Sequence, residues 1–260
     1  MFSGLFGRKK KTGDDHAVAP SGGANWSFLG ADMHSHLIPG IDDGAKTIDD
    51  SIALLRAMKE MGYNTVITTP HVMIDYYPNT TAIIQEGLGK VRSALKNINL
   101  DINVNAAAEY YIDEYFIGLI DKEPLLTIYK NEVLVEFSML YEPPMLFEVI
   151  FKIQSAGYRP VIAHPERYLF FHRNFNKYRE FKDRGCLLQL NMLSLIGYYG
   201  KNIRAIAAQL LSKNLYDYCG SDMHHEKHAS VLKSITNTKE YLTFVNYPFL
   251  NSRLCVTSGV

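Results

Sequence analysis

Asp32-Met33-His34-Ser35-His36 ends the first apolar segment of this chain, and the fold turns on how that pentapeptide is read. In extended backbone, residues i and i+2 project to the same side, so His34 and His36 can reach one ion together. Far downstream, Ser221-Asp222-Met223-His224 repeats the arrangement with Asp222 and His224. Between the two segments lie His71, Glu109, Glu136 and His164, each at or just past the end of an expected strand. An open α/β sheet concentrates its site at one topological switch point. A parallel barrel instead gathers groups from the carboxyl ends of many strands. Contributions from nearly every strand therefore point to a distorted (β/α) barrel, and the expected count of strands is seven.

That count comes from short apolar runs at 29–34, 65–69, 102–108, 132–137, 160–163, 187–190 and 216–219, which alternate with helical patterns. The expected helices cover about 47–62, 79–97, 113–121, 144–157, 174–185, 201–213 and 229–241. Thr47 and Asn79 read as start signals, and Gly62 and Gly157 as stops. With no internal repeat and no second linker, residues 27–260 form one α/β domain. Residues 1–26 read as a flexible tail and linker, with Phe2, Leu5 and Phe6 ahead of Arg8, Lys9, Lys10 and Lys11. That order is wrong for a secretory signal. It suits a disordered basic tail, with weak attraction to an anionic membrane surface as the sharper alternative.

Lys+Arg and Asp+Glu are balanced at 27 each, which counts against a nucleic-acid binder carried by bulk charge. No apolar run reaches the roughly 18 residues of a membrane span. The three cysteines, Cys186, Cys219 and Cys255, are too few and too scattered for a disulfide framework, so a reducing, cytoplasmic setting is expected.

A glutamate inside Val133-Leu134-Val135-Glu136-Phe137 would cost several kcal/mol to bury unless paired or coordinated. Glu109, after Asn105-Ala106-Ala107-Ala108, poses the same question. A structural ion pair explains one such residue more readily than two that share their level with four histidines. Imidazole and carboxylate without thiolate suit Mn, Fe or Zn in an open site. Asp42-Asp43 adds carboxylate on a neighbouring turn. His16, His172, His225 and His228 read as ordinary hydrogen-bonded histidines.

The run Asp32-Met33-His34-Ser35-His36-Leu37-Ile38-Pro39-Gly40-Ile41-Asp42-Asp43-Gly44 resembles the opening motif of the PHP (polymerase and histidinol phosphatase) superfamily. More narrowly, it is similar to the bacterial capsule-type protein-tyrosine phosphatases within it. Thr69-Pro70-His71, Glu109, Glu136-Phe137, His164-Pro165-Glu166-Arg167-Tyr168 and Ser221-Asp222-Met223-His224 match the later motifs in order. The resemblance implies a PHP-type seven-stranded barrel with three divalent ions, Mn2+ foremost and Fe or Zn as alternatives. One ion would take His34, His36, Glu109 and Asp222. A second would take Asp43, His71 and His224, and a third Glu136 and His164, with Glu109 bridging. It further implies hydrolysis of phosphotyrosine on a protein by a metal-activated hydroxide. The phosphoprotein would be a bacterial tyrosine kinase, met at its tyrosine-rich tail, that controls polysaccharide export.

Arg167, Asp222 and His224 would carry the catalytic roles, with Arg167 offering a planar fork to phosphate oxygens. The competing role for Arg167 is a loop salt bridge with Glu166. Tyr76, Tyr77, Tyr110, Tyr111 or Tyr168 could stack on a substrate ring or be ordinary packing. The chain departs from the family after Asp222-Met223-His224, where an arginine is expected and His225-Glu226-Lys227-His228 stands. Neither Cys186 nor Cys219 has an arginine six positions on, which excludes a cysteine-dependent phosphatase. The remaining alternatives are a phosphoesterase for a small metabolite such as histidinol phosphate and a non-catalytic phosphotyrosine-binding adaptor.

Overall fold

Thr47 begins the first helix as its sequence suggests. Its hydroxyl accepts from Asp50 N at 3.2 Å, and the Asp50 carboxylate accepts from Thr47 N at 2.9 Å. This reciprocal cap satisfies backbone donors that the helix cannot. The second helix is capped by Thr80, while Asn79 donates instead to Ile41 O and His71 O, at 2.9 and 2.8 Å. Asn79 thus fastens the Pro39–Gly44 turn to a strand end. The protein is described by a computed structural model covering residues 25–255, so the basic tail segment lies outside the described residues. Trp26, at the end of the expected linker, is wholly buried, and its indole N–H donates to Leu232 O.

The strands are β1 Ala31–Asp32, β2 Thr65–Thr68, β3 His71–Val72, β4 Asn103–Ala106, β5 Glu109–Tyr111, β6 Glu132–Glu136, β7 Arg159–Ala163, β8 Leu187–Asn191 and β9 Tyr218–Gly220. The helices are α1 Ile48–Glu60, α2 Thr81–Asn97, α3 Glu114–Leu119, α4 Leu146–Ser155, α5 Asn176–Asp183, α6 Met192–Leu195, α7 Lys201–Ser212, α8 Glu226–Ile235 and α9 Lys239–Val245. All strand pairings are parallel, in a three-stranded sheet β1-β2-β4 and a six-stranded sheet β3-β5-β6-β7-β8-β9.

The expected seven strands are therefore corrected to nine short ones among the described residues. The two additional strands lie just past the expected runs 65–69 and 102–108: Thr69-Pro70 separates β2 from β3, and Ala107-Ala108 separates β4 from β5. Proline brings no N–H to a ladder. Ala107 N to Thr68 O (2.9 Å) and Glu109 N to Pro70 O (3.1 Å) carry the chain across both breaks. At the far edge Ser35 forms a parallel bridge with Met223. Asp222 N donates to His34 O at 2.7 Å and His36 N to Met223 O at 2.8 Å. The result is an α/β domain built on a curled parallel sheet. The helix expected over 229–241 is two, because Thr236-Asn237-Thr238 breaks it and Thr238 re-enters in extended conformation.

Side chains alternate across the curl with the period of two that a strand imposes. In β6, Leu134 faces inward with Ala31, Met33, Ile67, Val161, Ala163 and Leu187, while Val133 and Val135 face the helices. The amino ends of the strands are sealed by a 3-10 segment, Leu250–Cys255. Asn251 Nδ2 donates to Ala31 O (2.9 Å) and Cys219 O (2.6 Å), and its Oδ1 accepts from Cys219 N at 3.0 Å. One side-chain amide thus stands in for ladder bonds between β1 and β9. Beside it Glu132 accepts two bonds from Arg253 (2.6 and 2.7 Å) and one from Tyr218 OH (2.6 Å).

Candidate metal centre

The opposite, carboxyl end of the curl is open, and the nine residues singled out from sequence meet there. His34 and His36 follow β1, His71 opens β3, Glu109 opens β5, Glu136 closes β6, and His164 follows β7. Asp222 and His224 follow β9, and Asp43 reaches in from the turn after the first strand. With Arg167, Met139 and Tyr199, most of them line a cleft of about 420 Å³.

His34 Nε2, His36 Nε2 and Asp222 Oδ1 form a triangle with all three sides 3.4 Å. Glu109 Oε2 adjoins its two histidine corners, 3.1 Å from His34 Nε2 and 3.5 Å from His36 Nε2. Ligands about 2.1 Å from a shared tetrahedral ion stand roughly 3.4 Å apart. Around this set, His71 Nε2 and His224 Nε2 approach Asp43 Oδ1 at 3.5 and 3.4 Å. His164 Nε2 is 3.1 Å from Glu109 Oε1 and 3.8 Å from Glu136 Oε2. His71 Nδ1 lies 3.0 Å from Glu136 and 3.3 Å from Glu109, yet it is buried without a hydrogen bond of acceptable geometry. A buried donor atom among carboxylates, unsatisfied by the protein, is what a cation site requires. The residues present fit divalent ions.

The rings are held from behind, as ligand histidines usually are. His36 Nδ1 meets Asp42 Oδ2 at 2.8 Å, and His224 Nδ1 donates to Asp222 O at 2.8 Å. Asp222 Oδ2 accepts from Arg167 (3.0 Å) and Asn191 Nδ2 (2.8 Å), which leaves Oδ1 facing the histidines. Gly44 lets the turn fold back, since a Cβ there would lie 2.1 Å from His36 O. His164 and Asp222 both hold positive φ, 32° and 50°, a strain characteristic of functional positions.

Without ions, protons supply the positive charge. Burial opposes protonation of His71, but Glu136 and Glu109 raise its pKa to about 9. Burial likewise works against charge on His36, and Asp42, Asp222 and Glu109 together outweigh it, raising the ring well above its ordinary value. Burial pushes Glu109 up, and His34 and His71 overcome that to hold it well below the usual carboxylate range.

Several sequence readings change here. Arg167 pairs with Asp222, not Glu166, whose buried carboxylate accepts from Asn191 N and Tyr216 OH, each at 3.0 Å. The Arg167 guanidinium also lies 4.5 Å over the Tyr199 ring. Tyr110 and Tyr168 are buried, and their hydroxyls accept from Leu126 N and Phe137 N, so neither can stack on a ligand. Tyr77 stacks on His71, and Tyr76 is exposed. His225 and His228, read as ordinary, line the cleft. Burial and His225 lower the His228 pKa to about 4. Lys227 lies 5.7 Å over the Tyr198 ring. Asp42, Gln189 and Asn191 act at one remove; Asp42 is marked by its place in the turn beside Asp43, whereas no local spacing marks Gln189 or Asn191. The Cys186 and Cys219 thiols are buried, and burial pushes Cys186 up to about 12 and Cys219 well above its ordinary value. Neither is a thiolate nucleophile.

Residues 30–242 match the family described as capsular polysaccharide synthesis, CpsB/CapC. The chain is 31% identical over 197 residues to the tyrosine-protein phosphatase YwqE of Bacillus subtilis (strain 168), spanning 75% of this chain and 78% of YwqE. It is 27% identical over 232 residues to the putative tyrosine-protein phosphatase CapC of Staphylococcus aureus, spanning 87% and 91%. Solved structures of YwqE and of CpsB from Streptococcus pneumoniae are described as unique metal-dependent tyrosine phosphatases. The fold matches at a TM-score of 0.72 with 28% identity, covering 82% of this chain and 90% of the other. An amidohydrolase from Mycoplasma synoviae shares the fold alone, at a TM-score of 0.52 and 15% identity over 88% of each chain.

Proposed function

The chain belongs to the capsular polysaccharide synthesis CpsB/CapC family, and from that premise we propose that it is a metal-dependent phosphatase acting on phosphotyrosine in proteins. The observation that carries this reading is the convergence of His34 Nε2, His36 Nε2 and Asp222 Oδ1 at 3.4 Å from one another, with Glu109 Oε2 at 3.1 and 3.5 Å from the two histidines, beneath an open cleft. His34, His36, Glu109 and Asp222 would hold one divalent ion, and Asp43, His71 and His224 a second. Glu136 and His164 would hold a third, with Glu109 shared. Mn2+ is the first candidate, with Fe and Zn as alternatives. Such ions, when bound, lower the pKa of water toward neutrality and offset charge that develops on phosphoryl oxygens.

The chain's own groups do the positioning. Arg167 spends one N–H on Asp222 and keeps the rest of its fork for phosphate oxygens on the cleft side. Tyr199 holds the guanidinium plane from the other face. A tyrosine leaving group has a pKa near 10, so no dedicated strong acid is needed. The physiological substrate in this reading is the tyrosine-rich tail of a kinase that controls polysaccharide export, and the setting is the cytoplasm. No helix among the described residues is long and apolar enough to cross a membrane.

The test is phosphate release from a phosphotyrosyl peptide, a phosphoseryl peptide and histidinol phosphate, each with and without chelator. Chelator-sensitive release confined to phosphotyrosine is expected. Preference for histidinol phosphate would overturn the substrate and keep the metal centre. Binding of the phosphotyrosyl peptide without turnover would make the protein an adaptor.

A further inference from the structure

Gln189 lies in β8 beneath the cleft, with no exposure to solvent. Its Nε2 donates to Leu190 O at 2.6 Å. Its Oε1 faces two groups at once, His164 N at 3.2 Å and His34 Nδ1 at 3.0 Å. The orientation of the amide follows from chemistry: Leu190 O can only accept, and the His164 backbone N–H can only donate. The atom turned to His34 is therefore oxygen, an acceptor, and His34 Nδ1 must carry the proton. A neutral imidazole protonated at Nδ1 presents its lone pair at Nε2. Nε2 is the atom that faces His36, Glu109 and Asp222.

The same oxygen holds His164 where its backbone would not otherwise rest. His164 sits at φ 32°, ψ 56°, a region unfavourable for a non-glycine residue and more so before a proline. There is no slack beneath. A Cβ on Gly220 would lie 2.7 Å from His34 Cβ and 2.9 Å from Gln189 Nε2. His34 and His164 meet around Glu109 in one donor group, and His34 also belongs to a second group with His36 and Asp222.

We propose that Gln189 is a positioning residue whose single amide oxygen fixes the tautomer of His34 and the strained backbone of His164, and so sets the metal affinity of both donor groups. This rests on the metal-centre reading above. Loss of one such supporting contact typically lowers metal affinity about 10–100-fold. The variants are Gln189→Leu, which removes the acceptor, and Gln189→Glu, which keeps it.

Mn2+ and Zn2+ affinity and stoichiometry are measured on the chelator-stripped full chain. The histidine ring tautomers are read by 15N NMR in alkaline buffer, before and after Zn2+ is added. Wild type should show His34 protonated at Nδ1. Gln189→Leu should lose that signature and bind ions about 10–100-fold more weakly, and Gln189→Glu, which keeps the acceptor while giving up the N–H that meets Leu190 O, should retain the Nδ1-protonated ring. Unchanged affinity in Gln189→Leu, or a wild-type His34 protonated at Nε2, overturns the proposal. If Gln189→Leu does not fold, the wild-type ring spectrum and the Glu variant decide. Failure of the functional reading looks different: ions bind and the Gln189 effects hold, but phosphotyrosine is not hydrolysed.

Discussion

Glu132 at the amino ends of the strands and Glu109 at the carboxyl ends are both buried carboxylates, 4% and 1% exposed. Glu132 is answered from within the chain: Arg253 gives it two charged hydrogen bonds and Tyr218 a third. Glu109 shares its space with Asp43, Glu136 and Asp222, and among the described residues Arg167 is the one guanidinium lining that cleft. Burying a carboxylate is costly at either end. One end closes its electrostatics with protein cations and is sealed. The other leaves a surplus of acceptors and histidine lone pairs that only added positive charge can balance.

The largest effect that would break this contrast lies at the open end. Asp222→Ala should lower phosphotyrosine turnover by about a thousand-fold or more, equivalent to roughly 4 kcal/mol of lost transition-state stabilisation. Steady-state kinetics with saturating metal check it, and near-normal turnover would remove Asp222 from the centre.

At the sealed end, Arg253→Met strands Glu132 and should cost about 3 kcal/mol of stability, the low end for a broken buried pair because Arg253 is partly exposed. Denaturant unfolding measures that. The kcat of the remaining folded enzyme should be unchanged, and a parallel fall in kcat would mean that the two ends are not independent.

Chelation should lower the melting temperature, and more so at pH 9 than at pH 6.5. The folded pKa of His71 is raised to about 9, above the ordinary value of about 6.5. Its protonation therefore stabilises the metal-free fold below about 6.5, and that support is lost as pH rises through about 9. With ions present, the same pH range should matter little. Equal chelator effects at both pH values would contradict the idea that protons and metal ions substitute for one another.

The smallest effect is expected away from both ends. Thr47→Ala removes the cap of α1 and should cost about 1 kcal/mol without altering kcat.

The centre was legible in sequence because its chemistry sits at anomalous places: histidines two apart after an apolar run, and a glutamate closing Val133-Leu134-Val135. Strand periodicity then converts position along the chain into position around a mouth. What sequence did not disclose are the residues that work only through distant partners. Asn251 serves Ala31, 220 positions away, Arg253 serves Glu132, 121 away, and Gln189 serves His34, 155 away. Each is an unremarkable polar residue locally, with no spacing that marks it. The strand count erred for a related reason. Apolar runs define where a strand can be, whereas Pro70 and the Ala107-Ala108 step decide where its ladder is interrupted.

The Asn251 clasp has a consequence for the order in which the molecule is made. β1 gains its second neighbour only when the chain has been synthesised past β9 and the 3-10 segment has docked. Contacts that span most of the sequence are the slowest to form. Glu109, Glu136 and His164 belong to the continuous six-stranded sheet and its following loop, whereas His34, His36, Asp222 and His224 flank the late seam. A nascent chain therefore carries only part of its centre until residues 218–255 have been made, and pulse-labelled hydrogen exchange should find the amides of Asp222 and His36 among the last to be protected.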